Sequence, residues 1–259
     1  MGKKEIRINR LIELLHANGR LSIKDAATLL QVSEMTIRRD LSAVESSQLI
    51  RNVNGILISY QNPTSQYTDK EYDLLHEGTI QNEAKQLIGK FAAQLVCPQD
   101  FVIFDTGSTT EQIISYIPAE LNFGALCFNR NILDQLSRHA NAEIAFAGGY
   151  YHKATQMFTS EEGVQFIQNI RANKVFVSAA GIHESLGISC ANSYEVPTKR
   201  VILKSAKQHI LVADSSKFGV VRSSYFCDLD DIDVVVTDNG LPPEWISLLR
   251  GRGITLHIV

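Results

Sequence analysis

The sequence has few cysteines and none of the spacings in which cysteine binds a metal. Its 259 residues include four cysteines. They are Cys97, Cys127, Cys190 and Cys227, which lie far apart and in no CxxC or cysteine–histidine arrangement. This pattern excludes a zinc motif and gives no sign of a disulfide framework. We therefore expect reduced thiols in a protein without a bound metal or cofactor.

A long apolar run is missing too. No stretch approaches the roughly 20 consecutive apolar residues of a membrane-spanning helix. Lys3-Lys4 precedes an amphipathic segment rather than the apolar centre of a signal peptide. The composition is 44% hydrophobic and 20% charged, as in a globular protein, and 259 residues suit two domains or one large α/β domain. We expect a cytoplasmic protein.

A strong charge of one sign is also absent, but the charges are unevenly distributed. The formal net charge is −3, yet residues 1–60 carry nine Lys and Arg against six Asp and Glu. Only this first segment has the sign expected for binding a polyanion such as DNA. Because the positive excess is small, one copy would bind DNA weakly. Several linked copies would multiply the contacts, so we expect a homo-oligomer.

The stretch from Ser33 to Leu41 is typical of the second helix of a helix-turn-helix. Ser33 can cap its N-terminus. Ile37 and Leu41 share the apolar face, with Val44 one turn further on, and the opposite face presents two adjacent arginines. Such a helix fits the major groove of double-stranded DNA, although a solvated surface helix has the same pattern. The predicted DNA-binding residues are Ser33, Met35, Thr36, Arg38, Arg39 and Arg51.

The flanking sequence favours the DNA-binding interpretation. Ser22 and Asp25 form a capping-box pattern that opens a helix just before Ser33. A further helix is predicted upstream, with Ile8, Leu11, Ile12 and Leu15 at helical spacing. Two β-prone runs follow, at 49–53 and 56–60, joined by Asn54-Gly55. We therefore predict a winged helix-turn-helix domain over residues 1–60, with Arg51 on the wing.

The remainder of the chain predicts an α/β domain. Residues 61–80 are polar and are assigned to a linker, with a short helix near 69–75. From 81 to 259, helical segments alternate with short apolar strands, which favours a largely parallel sheet covered on both faces. The predicted strands are 101–104, 125–128, 144–147, 175–178, 209–213, 234–237 and 254–258.

Polar residues follow several of these strands, at the edge where parallel sheets bind ligands. Asp105 ends the first strand, and Gly107 to Thr110 lead into a helix. Backbone N–H groups and hydroxyls at such a turn can hold a phosphate, whereas a plain strand-to-helix turn uses the same residue types. The predicted effector-binding residues are Asp105, Gly107, Ser108, Thr109, Thr110, Asn129, Gly149, Glu195, Lys199 and Lys217.

Five of these residues have an alternative structural interpretation. Asp105 either binds sugar hydroxyls or caps the turn. Gly149 fits a simple turn, and Lys217 fits a solvated loop lysine instead of a phosphate ligand. Glu195 and Lys199 are four residues apart on a predicted helix. They form either a surface ion pair of roughly 0.2–0.5 kcal/mol or two polar groups turned into a pocket.

The motifs together resemble the DeoR family of transcriptional regulators. The first is Ser-x-x-Thr-Ile-Arg-Arg-Asp-Leu after an arginine-containing helix. Further along, the chain matches the family's effector domain in DTGSTT, FNRN, AGGYYH, SAAGIHESLGISC and VADSSKFG. The wing departs from the family's usual Val-His-Gly-Gly, because this chain has Asn52-Val53-Asn54-Gly55.

This resemblance carries functional implications. It implies an effector domain similar to ribose-5-phosphate isomerases that recognises a phosphorylated sugar. It further implies a repressor of deoxyribonucleoside and deoxyribose catabolic genes, with deoxyribose 5-phosphate as effector and operator DNA as partner.

Two alternatives remain from the residues themselves: an active sugar-phosphate isomerase with a DNA-binding appendage, or a DNA-binding structural protein whose second domain only oligomerises. The isomerases carry Asp-Gly-Ala-Asp-Glu and Lys-Gly-Gly-Gly runs. This chain has residues 178–184 and 188–191 there, without the aspartates and the lysine, and only Glu195 lies near the place of the isomerase base. We therefore expect a regulator with no catalytic residue.

Overall fold

The computed structural model describes residues 7–8, 10–11, 14, 20–44, 50–53, 56–59 and 73–259, and for residues 20, 42–44, 50–53 and 56–59 the backbone alone. The chain divides into two compact units, 1–68 and 69–259. Within the described ranges, no helix is both long and apolar enough to cross a membrane.

The first unit is a winged helix-turn-helix. Its described residues before position 20 are helical. The elements that follow are β1 (Arg20–Ser22), α1 (Ile23–Leu29), α2 (Glu34–Val44), β2 (Ile50–Val53) and β3 (Ile56–Ser59). The strands form an antiparallel sheet in the order β1-β3-β2. The strand β1 was not predicted, because three residues are too few to show an alternating pattern. The predicted turn at 54–55 lies outside the described residues.

The core of this unit lies between its helices. Ser22 caps α1 by accepting a hydrogen bond of 3.0 Å from Asp25 N, as the capping-box pattern predicts. Alanines 26 and 27 are buried, so that α1 and α2 can approach closely. The buried apolar residues of this core are Leu11, Leu21, Ile23, Ala26, Ala27, Ile37 and Leu41.

The second unit is an α/β domain. Its helices are α3 (Leu74–Thr79), α4 (Asn82–Ala93), α5 (Ser108–Ile114), α6 (Arg130–Leu136), α7 (Glu161–Gln168), α8 (Val196–Ser205) and α9 (Pro243–Gly251). Its main strands are β4 (Phe101–Phe104), β5 (Phe123–Cys127), β6 (Ala142–Phe146), β9 (Ala172–Val177), β12 (Ala206–Val212), β14 (Val234–Thr237) and β15 (Thr255–Ile258). Short 3-10 turns occupy Ser193–Glu195, Ser215–Lys217 and Leu229–Asp231.

These seven strands form one parallel sheet, in the order β15-β14-β12-β9-β4-β5-β6. The order runs outward in both directions from β4, so the topological switch point lies between β4 and β9. In open α/β sheets, ligands bind at the carboxyl ends of the strands at such a point. The fold therefore singles out the ends of β4 and β9 before any side chain is considered.

Both faces of the sheet are covered, as the continuous apolar strands predict. Along β4, Val102 and Phe104 join one core with Ile88 of α4 and Ile113 of α5. Ile103 points to the other face and joins a second core with residues of α7, α8 and α9. This alternation buries the strand on both sides, which explains why it is apolar at every position.

Two small antiparallel additions were not predicted. The first is the hairpin of β7 (Tyr150–His152) and β8 (Met157–Thr159). The second is a three-stranded sheet of β10 (Gly181–His183), β11 (Gly187–Cys190) and β13 (Ser224–Cys227). Their strands are three or four residues long and interrupt the helix–strand alternation that the sequence suggested. Both follow strand ends, at the edge where the ligand site was predicted.

The segment assigned to the linker needs a correction at its C-terminal end. Residues 61–72 lie outside the described ranges, but Leu74–Thr79 form the capped helix α3 of the second unit. Asp73 accepts hydrogen bonds from Leu75 N and His76 N at 2.9 and 3.2 Å, and Leu74 is buried. A short polar helix with one buried leucine resembles a linker in sequence, because a single apolar anchor leaves no periodicity.

Candidate functional site

Helix α2 presents a polar face away from the core of the first unit. Ile37 and Leu41 are buried, whereas the Met35 side chain is 67% exposed. Arg38 and Arg39 are exposed as well. Ser33 accepts a hydrogen bond of 3.2 Å from Thr36 N and so caps the helix. Five of the six predicted DNA-binding residues therefore lie together at the N-terminal half of one helix.

An ion pair with a buried carboxylate, which was not predicted from the sequence, anchors this helix. Asp40 is buried and accepts hydrogen bonds from Arg7 Nε at 2.5 Å and from Nη2 at 3.0 Å. This bidentate geometry is the strong form of the pair. The hydrogen bond from Arg7 to Asp40 raises the pKa of Arg7. The signal for it was the position of Asp40, three residues after Ile37 on the inner face.

Arg51, the sixth predicted DNA-binding residue, lies on strand β2, opposite Ile58 of β3. Its backbone is thus part of the wing. Its side chain is outside the described set, so its contact with DNA stays a prediction.

The central polar group of the second unit lies at the switch point. Asp105 follows β4, and Ser178 follows β9. Asp105 Oδ2 accepts a hydrogen bond of 2.9 Å from Ser178 N and another from Lys199 Nζ. Lys199 Nζ also donates to Ser178 O at 3.0 Å. Asp105 and Lys199 are 0% and 1% exposed, so this ion pair is fully removed from water.

Burial and the neighbouring charges have opposing effects on the pKa values of Lys199 and Glu195. Burial alone would lower the pKa of Lys199, but the attraction of Asp105 and Glu195 outweighs it, and the pKa is raised. Burial raises the pKa of Glu195, against the opposing effects of Lys199 and of hydrogen bonds from Asn192. The Lys199 ammonium also lies 5.0 Å from the centre of the Phe226 ring, in a cation–π arrangement. Lys199 therefore remains charged in the interior.

Glu195 has a structural role beside its place in the site. It is buried, and its Oε1 accepts hydrogen bonds from Asn192 N at 3.0 Å and Asn192 Nδ2 at 2.9 Å. These bonds form a capping box at the turn that precedes α8. Of the two interpretations left open for Glu195 and Lys199, the structure supports the inward one: both are buried, and Lys199 pairs with Asp105.

The loop from Gly107 to Thr110 packs tightly against the switch point. Gly107 has a φ of +149°, and a Cβ there would lie 2.7 Å from Ser178 Oγ. Only glycine fits this combination of backbone angle and contact. Thr110 Oγ1 donates to Gly107 O at 2.8 Å. The hydroxyl side chains of Ser108 and Thr109 are buried at the start of α5.

A second loop, residues 153–156 between β7 and β8, covers this region. Its backbone carbonyls accept hydrogen bonds from three separate elements. Thr106 Oγ1 donates to Thr155 O at 3.1 Å, Arg130 N to Gln156 O at 2.8 Å, and Leu74 N to Ala154 O at 2.8 Å. The loop therefore connects α3, the loop after β4 and the start of α6.

The structure places the predicted site residues Asn129 and Gly149 in different environments. Asn129 is buried at the end of β5 and donates from Nδ2 to Asn131 Oδ1 at 2.9 Å. Gly149 follows β6 with a φ of +146°, and a Cβ there would lie 2.3 Å from Thr159 O. The close approach of β8 explains this glycine without a ligand, in agreement with the turn alternative.

Lys217 lies in a separate charged group after β12. Its Nζ is 3.1 Å from Glu77 Oε2, and its side chain is 17% exposed. Lys85 of α4, which the sequence analysis missed, donates from Nζ to Glu77 O at 2.6 Å and is buried. Burial, and then the charge of Lys217, lower the pKa of Lys85. The signal for Lys85 was a charged residue on the apolar stripe that includes Ile88 and Ala92.

Besides the Thr237 hydroxyl at the end of β14, three buried side-chain oxygen atoms at this edge of the sheet lack a hydrogen-bond partner among the described residues. They are Asp105 Oδ1, Asn129 Oδ1 and Asp214 Oδ2. They follow β4, β5 and β12, and all three are acceptors. Buried acceptors are normally satisfied, so these atoms are the described acceptors of this edge that a bound donor group could pair with. In the described ranges, no group of three or more His, Cys, Asp or Glu residues is arranged to hold a metal.

Comparison with known proteins identifies the family. The DeoR-like helix-turn-helix domain matches residues 7–62, and the DeoR C terminal sensor domain matches residues 80–239. The chain belongs to the DeoR family. The deoxyribose operon repressor of Escherichia coli (strain K12) is 34% identical to it, over 98% of either chain. The HTH-type transcriptional regulator GolR of Listeria innocua is 28% identical, over 97% of either chain.

The family establishes the kind of activity. Relatives in the DeoR family that span the whole chain are named repressors and regulators, so this protein is a DeoR-family transcriptional repressor rather than an enzyme. Among solved structures, ribose 5 phosphate isomerase A from Neisseria gonorrhoeae aligns with a TM-score of 0.40 and 15% identity, over 54% of this chain and 55% of that one.

Proposed function

We propose that this DeoR-family repressor controls a deoxyribonucleoside or deoxyribose catabolic operon and that deoxyribose 5-phosphate releases it from its operator. Support for the choice of sugar comes from the deoxyribose operon repressor of Escherichia coli, which is similar over 98% of the chain. A ligand that binds the DNA-competent state less well must lower operator affinity by the same coupling factor.

The observation that carries the proposal is the set of unsatisfied acceptors at the sheet edge. Asp105 Oδ1, Asn129 Oδ1 and Asp214 Oδ2 are buried and need donors. The hydroxyl groups of a sugar are donors, and the two hydroxyls of deoxyribose 5-phosphate can satisfy two of these acceptors. Leaving a buried acceptor without a partner costs about 1–3 kcal/mol, so a ligand that supplies the donors gains affinity by a comparable amount.

The phosphate is assigned to the other polar groups of this edge. The loop Gly107 to Thr110 offers backbone N–H groups and buried hydroxyls. Lys217 supplies a positive charge, with Lys85 as a second cation beside the same Glu77. In this proposal Glu195 and Lys199 bind the hydroxyl and carbonyl groups of the sugar rather than its phosphate. Gly149 has its structural explanation in the contact with β8.

DNA recognition is assigned to α2. Exposed Arg38 and Arg39, with Met35, Thr36 and Ser33, form the face that enters the major groove in this proposal. A single weakly basic module makes few contacts, so at least two copies act together on a palindromic or repeated operator.

The test is a titration of a DNA duplex that the full-length protein selects from a randomised library. Deoxyribose 5-phosphate, ribose 5-phosphate and free deoxyribose are added separately, and light scattering counts the chains on each duplex. We expect release by the first compound alone and at least two chains per duplex. Indifference to all three compounds, or one chain per duplex, would contradict the proposal.

A matched pair of variants tests the site. The double variant Ser108→Ala, Lys217→Ala should raise the effector concentration for half-release. The control Ser247→Ala, Lys204→Ala removes the same groups from exposed positions and should leave it unchanged. An unchanged half-point in the first variant would show that the phosphate lies elsewhere.

A further inference from the structure

Helix α3 is in contact with the predicted phosphate loop. Its Gly78 faces Ser108: a Cβ built at Gly78 would lie 4.0 Å from Ser108 Cβ, at ordinary van der Waals distance. The helix therefore lies beside the first residue of α5, with room for about one methyl group between Gly78 and Ser108. A displacement of Ser108 would therefore act on α3 with no other residue between them.

A second connection passes through the loop 153–156. Leu74 N, in the first turn of α3, donates to Ala154 O at 2.8 Å. The next residue, Thr155, accepts through its carbonyl from Thr106 Oγ1 at 3.1 Å. Thr106 immediately precedes Gly107, so two hydrogen bonds to the adjacent residues Ala154 and Thr155 connect the start of α3 with the loop.

The third connection is ionic. The carboxylate of Glu77 in α3 pairs with Lys217 at 3.1 Å, while its backbone carbonyl accepts from Lys85 Nζ at 2.6 Å. Lys217 is the residue that the proposed function assigns to the effector phosphate. The same ammonium group is therefore the partner of α3 here and the partner of the effector in the bound state.

We propose that α3 is the element that couples the sugar site to DNA binding, and that the Glu77–Lys217 pair is a latch which the effector phosphate opens. This inference rests on the proposed function. The boundary between the two units lies between Thr68 and Asp69, so α3 is the first described element of the second unit. A displacement of α3 acts on the segment that joins the units.

The charges favour competition over simultaneous binding. Without effector, Lys85 and Lys217 face two carboxylates, Glu77 and Asp214, so that the group is balanced. A phosphate monoester adds a charge of about −1.5 to −2 at pH 7. Phosphate then takes Lys217 as partner and repels Glu77. The partial exposure of Glu77, 24%, leaves its side chain free to turn toward water.

Two single substitutions separate the latch from simple phosphate binding. Glu77→Gln removes the latch and leaves Lys217 for phosphate. Lys217→Gln removes both the latch and the cation that is assigned to the phosphate. Glu83→Gln is the matched control, because Glu83 is an exposed glutamate on the neighbouring helix α4. For each full-length variant, affinity for the selected operator duplex and for deoxyribose 5-phosphate is measured separately, together with the thermal unfolding midpoint.

For Glu77→Gln the expected effects on the two ligands are opposite, whereas for Lys217→Gln they have the same direction. Both Glu77→Gln and Lys217→Gln should weaken operator binding without effector, by at least about fivefold, the lower range of allosteric coupling. Glu77→Gln should tighten sugar-phosphate binding, whereas Lys217→Gln should weaken it. Glu83→Gln should match the unmodified protein in both. Unfolding midpoints close to that of the unmodified protein would exclude loss of folding as the cause.

The two failures are distinguishable. Operator affinity of Glu77→Gln equal to that of Glu83→Gln would overturn the latch, whatever the effector. If the unmodified protein bound none of the sugar phosphates while Glu77→Gln still weakened operator binding, the proposed effector would be wrong and α3 would remain the coupling element. Weaker sugar-phosphate binding by Glu77→Gln would also overturn the latch, because it would make Glu77 a contributor to the site.

Discussion

Helix α2 and the carboxyl edge of the parallel sheet place their polar residues in opposite ways. On α2 the polar residues assigned to function face water, and one partly buried ion pair, Arg7–Asp40, holds the helix in place. At the sheet edge the polar residues are themselves buried, as in the Asp105–Lys199 pair. Substitution of the exposed residues of α2 should therefore change binding more than stability, whereas substitution at the sheet edge should change stability as well.

The largest effect is expected on α2. Replacing Arg38 and Arg39 together with alanine should lower operator affinity by at least about 30-fold, because each lost DNA contact costs roughly 1–3 kcal/mol. The circular dichroism spectrum and sugar-phosphate binding should be unchanged, since both side chains are exposed. Electrophoretic mobility shift at fixed salt measures the loss.

Net charge needs its own control in this experiment. The variant Lys204→Ala, Lys207→Ala removes two exposed positive charges from the second unit and should retain operator binding. Equal losses in the two double variants would mean that charge alone, and not the position on α2, determines the affinity. Unchanged binding by the arginine variant would place the DNA contact on another element.

An intermediate effect is expected at the sheet edge. Lys199→Met leaves the Asp105 carboxylate buried without its cation, which costs about 3–5 kcal/mol. For a unit of this size, that lowers the unfolding midpoint by roughly 6–20 °C. Differential scanning calorimetry measures the shift.

The Lys174–Asp100 pair provides the comparison. Its side chains are 15% and 10% exposed, so water compensates part of the loss in Lys174→Met. We expect a smaller shift there than in Lys199→Met. A larger shift for Lys174→Met would show that burial does not set the cost of breaking these pairs.

The contrast between the two regions also explains what the sequence could predict. The apolar residues of α2 recur at helical spacing, so Ile37 and Leu41 predicted its buried face. The exposed face is the opposite one and was predicted with it. The parallel sheet was predictable for a similar reason, because each of its strands is a continuous apolar run between helices. Local patterns of this kind need no knowledge of distant residues.

The pairs that build the sheet edge depend on distant residues. Lys199 reaches Asp105 across 94 positions, and Lys217 reaches Glu77 across 140. Spacing along the chain carries no information on such pairs until the order of the strands is known. Hence Asp105, Lys199 and Lys217 were each predicted as polar groups of the site, but the pairs that they form were not, and Glu77 was not predicted at all.

The smallest effect is expected on the reactivity of the cysteine thiols, which reports how far the second unit excludes a reagent from its interior. Cys127, Cys190 and Cys227 are buried, whereas Cys97 is exposed. Burial raises the pKa of Cys127 and of Cys190 to about 12, so thiolate is scarce at neutral pH. A chromogenic disulfide reagent should titrate one thiol in the native protein and four after denaturation. Rapid reaction of a second thiol in the native state would reveal local opening.

The loop 153–156 holds its neighbours by main-chain carbonyls, and this has a consequence for sequence divergence. Ala154 and Gln156 contribute backbone oxygens rather than side-chain groups to α3 and α6. Replacement of their side chains leaves those oxygens in place, so related proteins can vary there while keeping the same connections. The exception is backbone shape: Gln156 has a φ of +54°, which glycine or asparagine can adopt and a β-branched residue resists.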